Sequence, residues 1–188
     1  MLRIIAGKHK GILLETPDRS ARPLTDRIRT SLFDTLQQYV EGAVILDIFA
    51  GSGSFGFEAL SRGAESVTFV DSSEDSINTL YANQKKLEER NVRIIRAHAD
   101  RFLRRDNSQY TIIFTDPPFP MSEDEVNHLL TLMVPRLDPE DGILVVRLPE
   151  QKELPQDITG SGVPAECIYS KQYGKSIVGF YRPALSQD

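Results

Sequence analysis

From residue 43 onward, short apolar runs alternate with stretches whose apolar residues recur every three or four positions. The runs 43–49, 66–71, 92–97, 111–115 and 142–148 are predicted strands, because each is short, apolar and bounded by turn residues. Between them the helical period predicts helices over 54–62, ended by Gly63, and over 74–90, where Ile77, Leu80, Tyr81 and Leu87 share a face. A short helix near Arg101–Arg105 follows. Another spans 123–135 and opens on Ser122-Glu123-Asp124-Glu125, a capping-box pattern. Upstream, residues 2–15 read as a hairpin around Gly7-Lys8-His9-Lys10-Gly11, and a helix begins near Asp26 with Thr25 as its cap. That helix carries Ile28, Leu32, Leu36 and Tyr39 on one stripe and is ended by Gly42. Two apolar runs, 165–170 and 176–182, close the chain around Lys171-Gln172-Tyr173-Gly174-Lys175. Strands alternating with helices imply a parallel sheet covered on both faces. The expected class is therefore α/β: seven strands, mostly parallel, the last antiparallel, with a small β-hairpin appendage over 1–21 and the main domain over 22–185.

Composition changes this picture little. With 188 residues, 40% of them apolar, the chain suffices for one substantial core. No run reaches the ~18 apolar residues of a membrane span, and no signal-peptide pattern opens the chain, so a cytoplasmic protein without a membrane partner is expected. Cys167, the single cysteine, lies in a predicted strand and reads as a buried small apolar residue. His9, His98 and His128 lack metal-ligand spacing, and no metal is expected.

Charge changes it more. The net charge is −5, yet residues 1–30 hold seven basic and three acidic residues, leaving the remainder at −9. A basic arm on an acidic body can grip a phosphate backbone, because a local patch attracts phosphates whatever the net charge. The same arm also reads as an ordinary solvated face.

The candidate chemistry stands at the ends of the runs. Asp47, Asp71, Asp100 and Asp116 each close one of four successive apolar runs. In an open parallel sheet those ends share one edge, where ligands bind. After Asp47 come Phe49-Ala50-Gly51-Ser52-Gly53-Ser54-Phe55-Gly56, whose glycines also satisfy the dinucleotide fingerprint, with Asp71 twenty residues beyond Gly51. Asp47 separates the alternatives. A dinucleotide would bring pyrophosphate charge towards that carboxylate, whereas S-adenosylmethionine brings a sulfonium and an ammonium against one carboxylate. Asp71 suits ribose hydroxyls. Asp100 suits an adenine amine, or else an ordinary helix cap. Asp116-Pro117-Pro118-Phe119 is the most specific element: the prolines fix φ and hold Asp116 extended, so a carboxylate, a carbonyl and a ring can converge on a planar amine.

Asp47-Ile-Phe-Ala-Gly-Ser-Gly53 together with Asp116-Pro-Pro-Phe119 resembles the Rossmann-like, S-adenosylmethionine-dependent amino-methyltransferases. Arg3-Ile-Ile-Ala-Gly-Lys8, Arg22-Pro-Leu-Thr-Asp-Arg-Ile-Arg-Thr-Ser-Leu-Phe33 and Glu58-Ala-Leu-Ser-Arg-Gly-Ala64 narrow the resemblance to the bacterial RsmD family. It implies transfer of a methyl group to the exocyclic 2-amino group of one guanine, guanine 966, in 16S ribosomal RNA. It further implies S-adenosylmethionine as cofactor, 16S rRNA in an assembling small subunit as partner, and a monomeric enzyme. By position, Asp47, Phe49, Ala50, Gly51, Ser52, Gly53, Asp71, Ser72, Asp100, Arg101, Thr25 and Arg29 would border the cofactor. Asp116, Pro117, Pro118 and Phe119 would hold the guanine. Lys8, Lys10, Arg22, Arg27, Tyr173 and Lys175 would meet the RNA. Two positions depart from the family pattern: Asp71-Ser72-Ser73 replaces a glutamate followed by a charged residue, and Leu24 replaces a threonine. Alternatives from the motif chemistry are an adenine-N6 methyltransferase acting on DNA or RNA, and a non-catalytic RNA-binding module.

Overall fold

The computed structural model describes residues 2–17 and 25–184. Its central strand, β3 (Val44–Ile48), is flanked by β4 (Ser66–Asp71) and β6 (Ile112–Thr115), all parallel. β5 (Val92–Arg96) lies outside β4, and β7 (Ile143–Pro149) outside β6, also parallel. Beyond β7 come β10 (Ser176–Pro183), β9 (Val163–Tyr173) and β8 (Asp157–Gly160), each antiparallel to its neighbour, so the order is β5-β4-β3-β6-β7-β10-β9-β8. The sheet thus has eight strands where seven were expected. The extra one, β8, is four residues long and buries only Ile158 and Gly160, too brief a pattern to stand out as an apolar run.

Helices cover both faces. On one face α1 (Asp26–Thr35), α2 (Gln37–Val40), α3 (Ser54–Ser61) and α4 (Glu74–Leu87) pack with Ile45, Val67, Phe69, Ile112 and Phe114. On the other, α5 (Ala99–Leu103) and α6 (Glu123–Met133) pack with Leu46, Ile48, Val70, Ile113 and Val146. Alternate strand residues feed the two layers, which is why the central strands are apolar throughout rather than alternating. The expected caps form: Thr25 accepts from the Ile28 amide, and Ser122 and Glu125 make a reciprocal capping box. Tyr81, expected on the core face of α4, is 53% exposed, and Cys167 is half-buried rather than buried. Among the described residues no helix is long and apolar enough to cross a membrane.

The N-terminal strands β1 (Leu2–Arg3) and β2 (Leu13–Leu14) pair antiparallel, and Leu2, Ile4 and Leu14 join the core beneath α1 and α3. Their turn lies against the end of α3: the Lys8 amide donates to the Ser61 carbonyl (2.9 Å). A Cβ on Gly7, where φ is +80°, would stand 1.7 Å from that carbonyl oxygen, so glycine is required there.

Candidate active site

Register decides which face the strand-end acids occupy. Asp47 stands beside Phe69 and Phe114 in the parallel ladders, and Asp71 and Asp116 lie two residues beyond those phenylalanines. With a side-chain period of two, all three carboxylates fall on the face carrying α3. Arg147 lies two residues past Val145, the partner of Phe114, and so rises at the level of Asp116 on the neighbouring strand.

The glycine turn is built around two of these acids. Phe49, Gly51 and Gly53 all have positive φ (62°, 54° and 75°), folding the chain back over the strand end. Asp71 holds the turn, accepting from the Gly51 amide through Oδ2 and the Ser73 amide through Oδ1 (2.9 Å each). Asn83 of α4 donates to the Ser52 carbonyl (3.0 Å). Gly56 lets α3 approach the sheet, since a Cβ there would meet the Phe69 ring at 2.3 Å. Its amide donates to Asp47 Oδ2 (3.0 Å) near the positive end of α3.

Asp47 is nonetheless under-compensated. Its carboxyl is held well above the usual carboxylate range by desolvation, with Asp116 and Asp71 adding and the Gly56 amide opposing. A cation in front of it would relieve that cost, so the donor set fits a positively charged ligand.

Asp116 follows β6 directly, with Pro117 buried and Phe119 58% exposed. Arg147 Nη1 donates to its Oδ2 at 2.7 Å, while Arg147 Nε and Nη2 donate to Ser176 Oγ on β10 (3.2 and 3.0 Å). The guanidinium also lies 5.8 Å from the Phe119 ring centroid. Burial raises the Asp116 carboxyl above its ordinary value, and Arg147 pulls it back. Among the described residues Oδ1 accepts no hydrogen bond. The arrangement therefore offers one oriented carboxylate oxygen beside an uncovered ring.

Comparison with known proteins accounts for this combination. The family model described as Conserved hypothetical protein 95 matches residues 2–182. The chain belongs to this family, that of the RsmD methyltransferases. It is 37% identical over 163 residues to "Putative rRNA methyltransferase YlbH" of Bacillus subtilis, covering 84% of this chain and 88% of that protein. It is 40% identical over 119 residues to the Escherichia coli ribosomal RNA small subunit methyltransferase D, an alignment spanning 63% of this chain and 60% of that protein. The solved structure "Putative methyltransferase yhhF from Escherichia coli" superposes with a TM-score of 0.84 at 30% identity, over 97% of this chain and 98% of that one.

Within this RsmD-family fold, not every expected site residue stands on the element its sequence position suggested. Asp100 does not end a strand. β5 stops at Arg96, and Asp100 sits in the first turn of α5, at an exposed position where Arg104 and His128 donate to it (3.0 and 2.9 Å). Those partners hold its carboxyl below the usual range, Arg104 first. The cap of α5 falls to His98 instead, and Asp100 forms one wall of a cavity of about 200 Å³ with Phe49, Ala99, Met121 and Leu129. Ser72 and Arg101 are exposed beside it.

Arg29 is a plainer correction. It is fully buried and donates to the Arg3 carbonyl and to Asp26 (2.9 Å), with Glu58 3.9 Å away. The helical spacing that puts Leu32 and Phe33 in the core puts Arg29 there too, so it cannot face a cofactor. Thr25 caps α1.

The hairpin lysines are also remote from the edge. Ser61, which ends α3, and Glu89, which follows α4, are touched by the hairpin turn at the amino-terminal side of the sheet, and Lys8 is paired with Glu89 (2.8 Å). Lys10 lies in the same turn. Arg22 falls outside the described residues. Arg27 is exposed on the first turn of α1. Tyr173 and Lys175 do reach the carboxyl edge, because Ser176 pairs with Pro149 at the end of β7, and the Tyr173 hydroxyl bonds Ser31 of α1 (2.9 Å). Arg147 and Ser176 went unread in the sequence. The available signal was one arginine inside Ile143-Leu-Val-Val-Arg-Leu-Pro149, otherwise an apolar strand.

Proposed function

We propose that this chain transfers a methyl group from S-adenosylmethionine to the exocyclic 2-amino group of one guanine, guanine 966, in 16S ribosomal RNA. The relatives named as ribosomal RNA methyltransferases support the RNA class. The single observation that carries the reading is Asp116 at the end of β6, oriented by Arg147 with one oxygen left open beside Phe119.

The cofactor supplies an electrophilic methyl carbon; Asp47 would stand near its cationic methionine end and Asp71 near its ribose. The guanine amine is a poor nucleophile because its lone pair is delocalised into the ring. Asp116 Oδ1 and the Pro117 carbonyl would accept its two hydrogens, favouring a pyramidal nitrogen whose lone pair points at the methyl group. Alignment of this kind supplies much of the rate. Arg147 opposes the burial that favours the protonated Asp116 and fixes the carboxyl in direction, and Phe119 would stack on a base drawn out of its surroundings. Asp116 would take the proton as the new bond forms. An RNA substrate in an assembling subunit implies a cytoplasmic enzyme, acting here as a monomer.

Asp116→Ala tests this reading. Methyl transfer to unmodified 16S rRNA should fall by about 10²–10³-fold, the scale for removing an oriented group at the reacting centre. Cofactor binding by calorimetry should survive within a few-fold. Intact transfer by the variant would sink the assignment.

A further inference from the structure

Two basic residues of the N-terminal segment are engaged within the fold. Lys8 pairs with Glu89 and Arg3 with Asp26, and the hairpin turn carrying Lys8 sits at the side of the sheet away from the site. A different surface holds unengaged charge. Along the outer edge of β5 a groove of about 630 Å³ runs between the strand and α5. Arg93 and Arg96 come from β5, Arg101 from α5 and Arg105 from the turn that follows it, over a floor of Ile95 and Phe102. Among the described residues, Arg93, Arg101 and Arg105 make no side-chain hydrogen bond or ion pair; Arg96 is held by Glu74 (2.9 Å).

The single acid lining the groove is already satisfied: Asp106 accepts from Ser108 and from the Tyr110 hydroxyl (3.0 Å each). Set against Asp106 and the Glu74 carboxylate on Arg96, the four arginines still leave a surplus of two positive charges, in a protein whose net charge is −5. Charge on an edge strand also discourages strand pairing between molecules, which would account for Arg93. It does not account for Arg101 and Arg105, which lie off the edge strand and line the same groove. The upper end of the groove opens at Ser72 and His98, beside the carboxyl edge where Asp71 stands.

We propose that this groove binds the phosphate backbone of the substrate RNA and leads it to the catalytic edge. The proposal rests on the reading of the chain as an RNA methyltransferase. It replaces the hairpin turn by the β5–α5 groove as the main electrostatic contact. Arginine suits the task because its planar fork meets phosphate oxygens in pairs.

The test compares wild type, the double variant Arg93→Glu/Arg105→Glu and the conservative Arg93→Lys/Arg105→Lys in binding to an unmodified 16S rRNA transcript over a range of salt. The charge-reversed protein should bind at least about tenfold more weakly at low salt, with a log Kd against log salt slope shallower by about 1.4, two single-strand phosphate contacts at ~0.7 each. The lysine variant should keep most of the affinity and slope. S-adenosylmethionine binding and the thermal midpoint should stay at wild-type values in both. Unchanged RNA affinity and slope after charge reversal would overturn the groove assignment while leaving the methyltransferase reading intact. Loss of cofactor binding in parallel would overturn it too, by assigning the groove to the cofactor. A wild-type protein with no measurable affinity for the transcript would instead overturn the RNA reading on which the proposal depends.

Discussion

Two places in this molecule bury charge, and they do so in opposite ways. Beneath the hairpin, Glu58 is fully enclosed, yet it accepts from the Ile5 and Ala6 amides (2.7 and 3.1 Å) and from Arg62 (2.8 Å), with Arg29 close by. Arg29 in turn engages Asp26 and the Arg3 carbonyl. Positive and negative groups are matched, and the cluster ties β1, α1 and α3 together. At the carboxyl edge, Asp47, Asp71 and Asp116 crowd one face, and Arg147 reaches only Asp116 among the described residues. In the first region each acid has cations and donors against it, although Arg29 Nε and Nη1 take no hydrogen bond among the described residues; in the second no cation among the described residues offsets Asp47. An unbalanced buried charge marks a place where a ligand completes the structure, whereas a balanced one marks a joint.

The sharpest way to break this contrast is to unbalance the joint. Glu58→Ala leaves the Ile5 and Ala6 amides unpaired and removes the carboxylate facing the buried Arg29 guanidinium, and should cost about 3–5 kcal/mol, read from denaturant unfolding. A loss below about 1 kcal/mol would mean that Arg29 finds water or another acceptor, and that the two regions are not opposites. At the edge, Arg147→Met should lower kcat about tenfold and move the acidic limb of the pH–rate profile upward, because Asp116 loses the cation that opposes its burial. A profile that keeps its shape while the rate falls would make Arg147 a packing residue only.

Asp47 offers a subtler reading of the same imbalance. Its folded carboxyl titrates above the ordinary value of 3.8, so between that value and the raised one the ligand-free protein keeps a proton that the unfolded chain has released. Stability should therefore fall as pH rises through that window. Asp47→Asn should flatten this decline and weaken S-adenosylmethionine binding; a decline that persists unchanged in the variant would show that Asp47 is not its source. The smallest effect is expected where charge is exposed: Lys8→Ala, breaking a pair in which the lysine side chain is 57% exposed, should change stability by at most about 1 kcal/mol.

What could be read from the residues alone follows from which interactions are local. Parallel strands buried on both faces announce themselves as apolar runs, and their last residues therefore lie along one edge; this placed Asp47, Asp71 and Asp116 correctly. Ser122 and Glu125 were legible because a capping box spans four residues. Asp100 misled because the run through Ile94-Ile95 continues past the true strand end into Ala97 and Ala99, which are apolar for the sake of α5 and the underlying core. The hairpin is a different case. Lys8 looks free in one dimension, but Glu89, which pairs with it, lies far along the chain, as does Glu58, which accepts from the Ile5 amide. Arg147 was hidden in the same manner, thirty-one residues from the aspartate it holds.

The position of β10 between β7 and β9 carries a consequence for biosynthesis. The glycine turn, Asp47, Asp71 and Asp116 all belong to the first two-thirds of the chain, but Ser176, which fixes Arg147, arrives with the final strand. A nascent chain could assemble the cofactor edge while still on the ribosome, yet Asp116 would have no steadied partner until β10 has been made. A protein stopped short of β10 should thus bind its cofactor before it can use it.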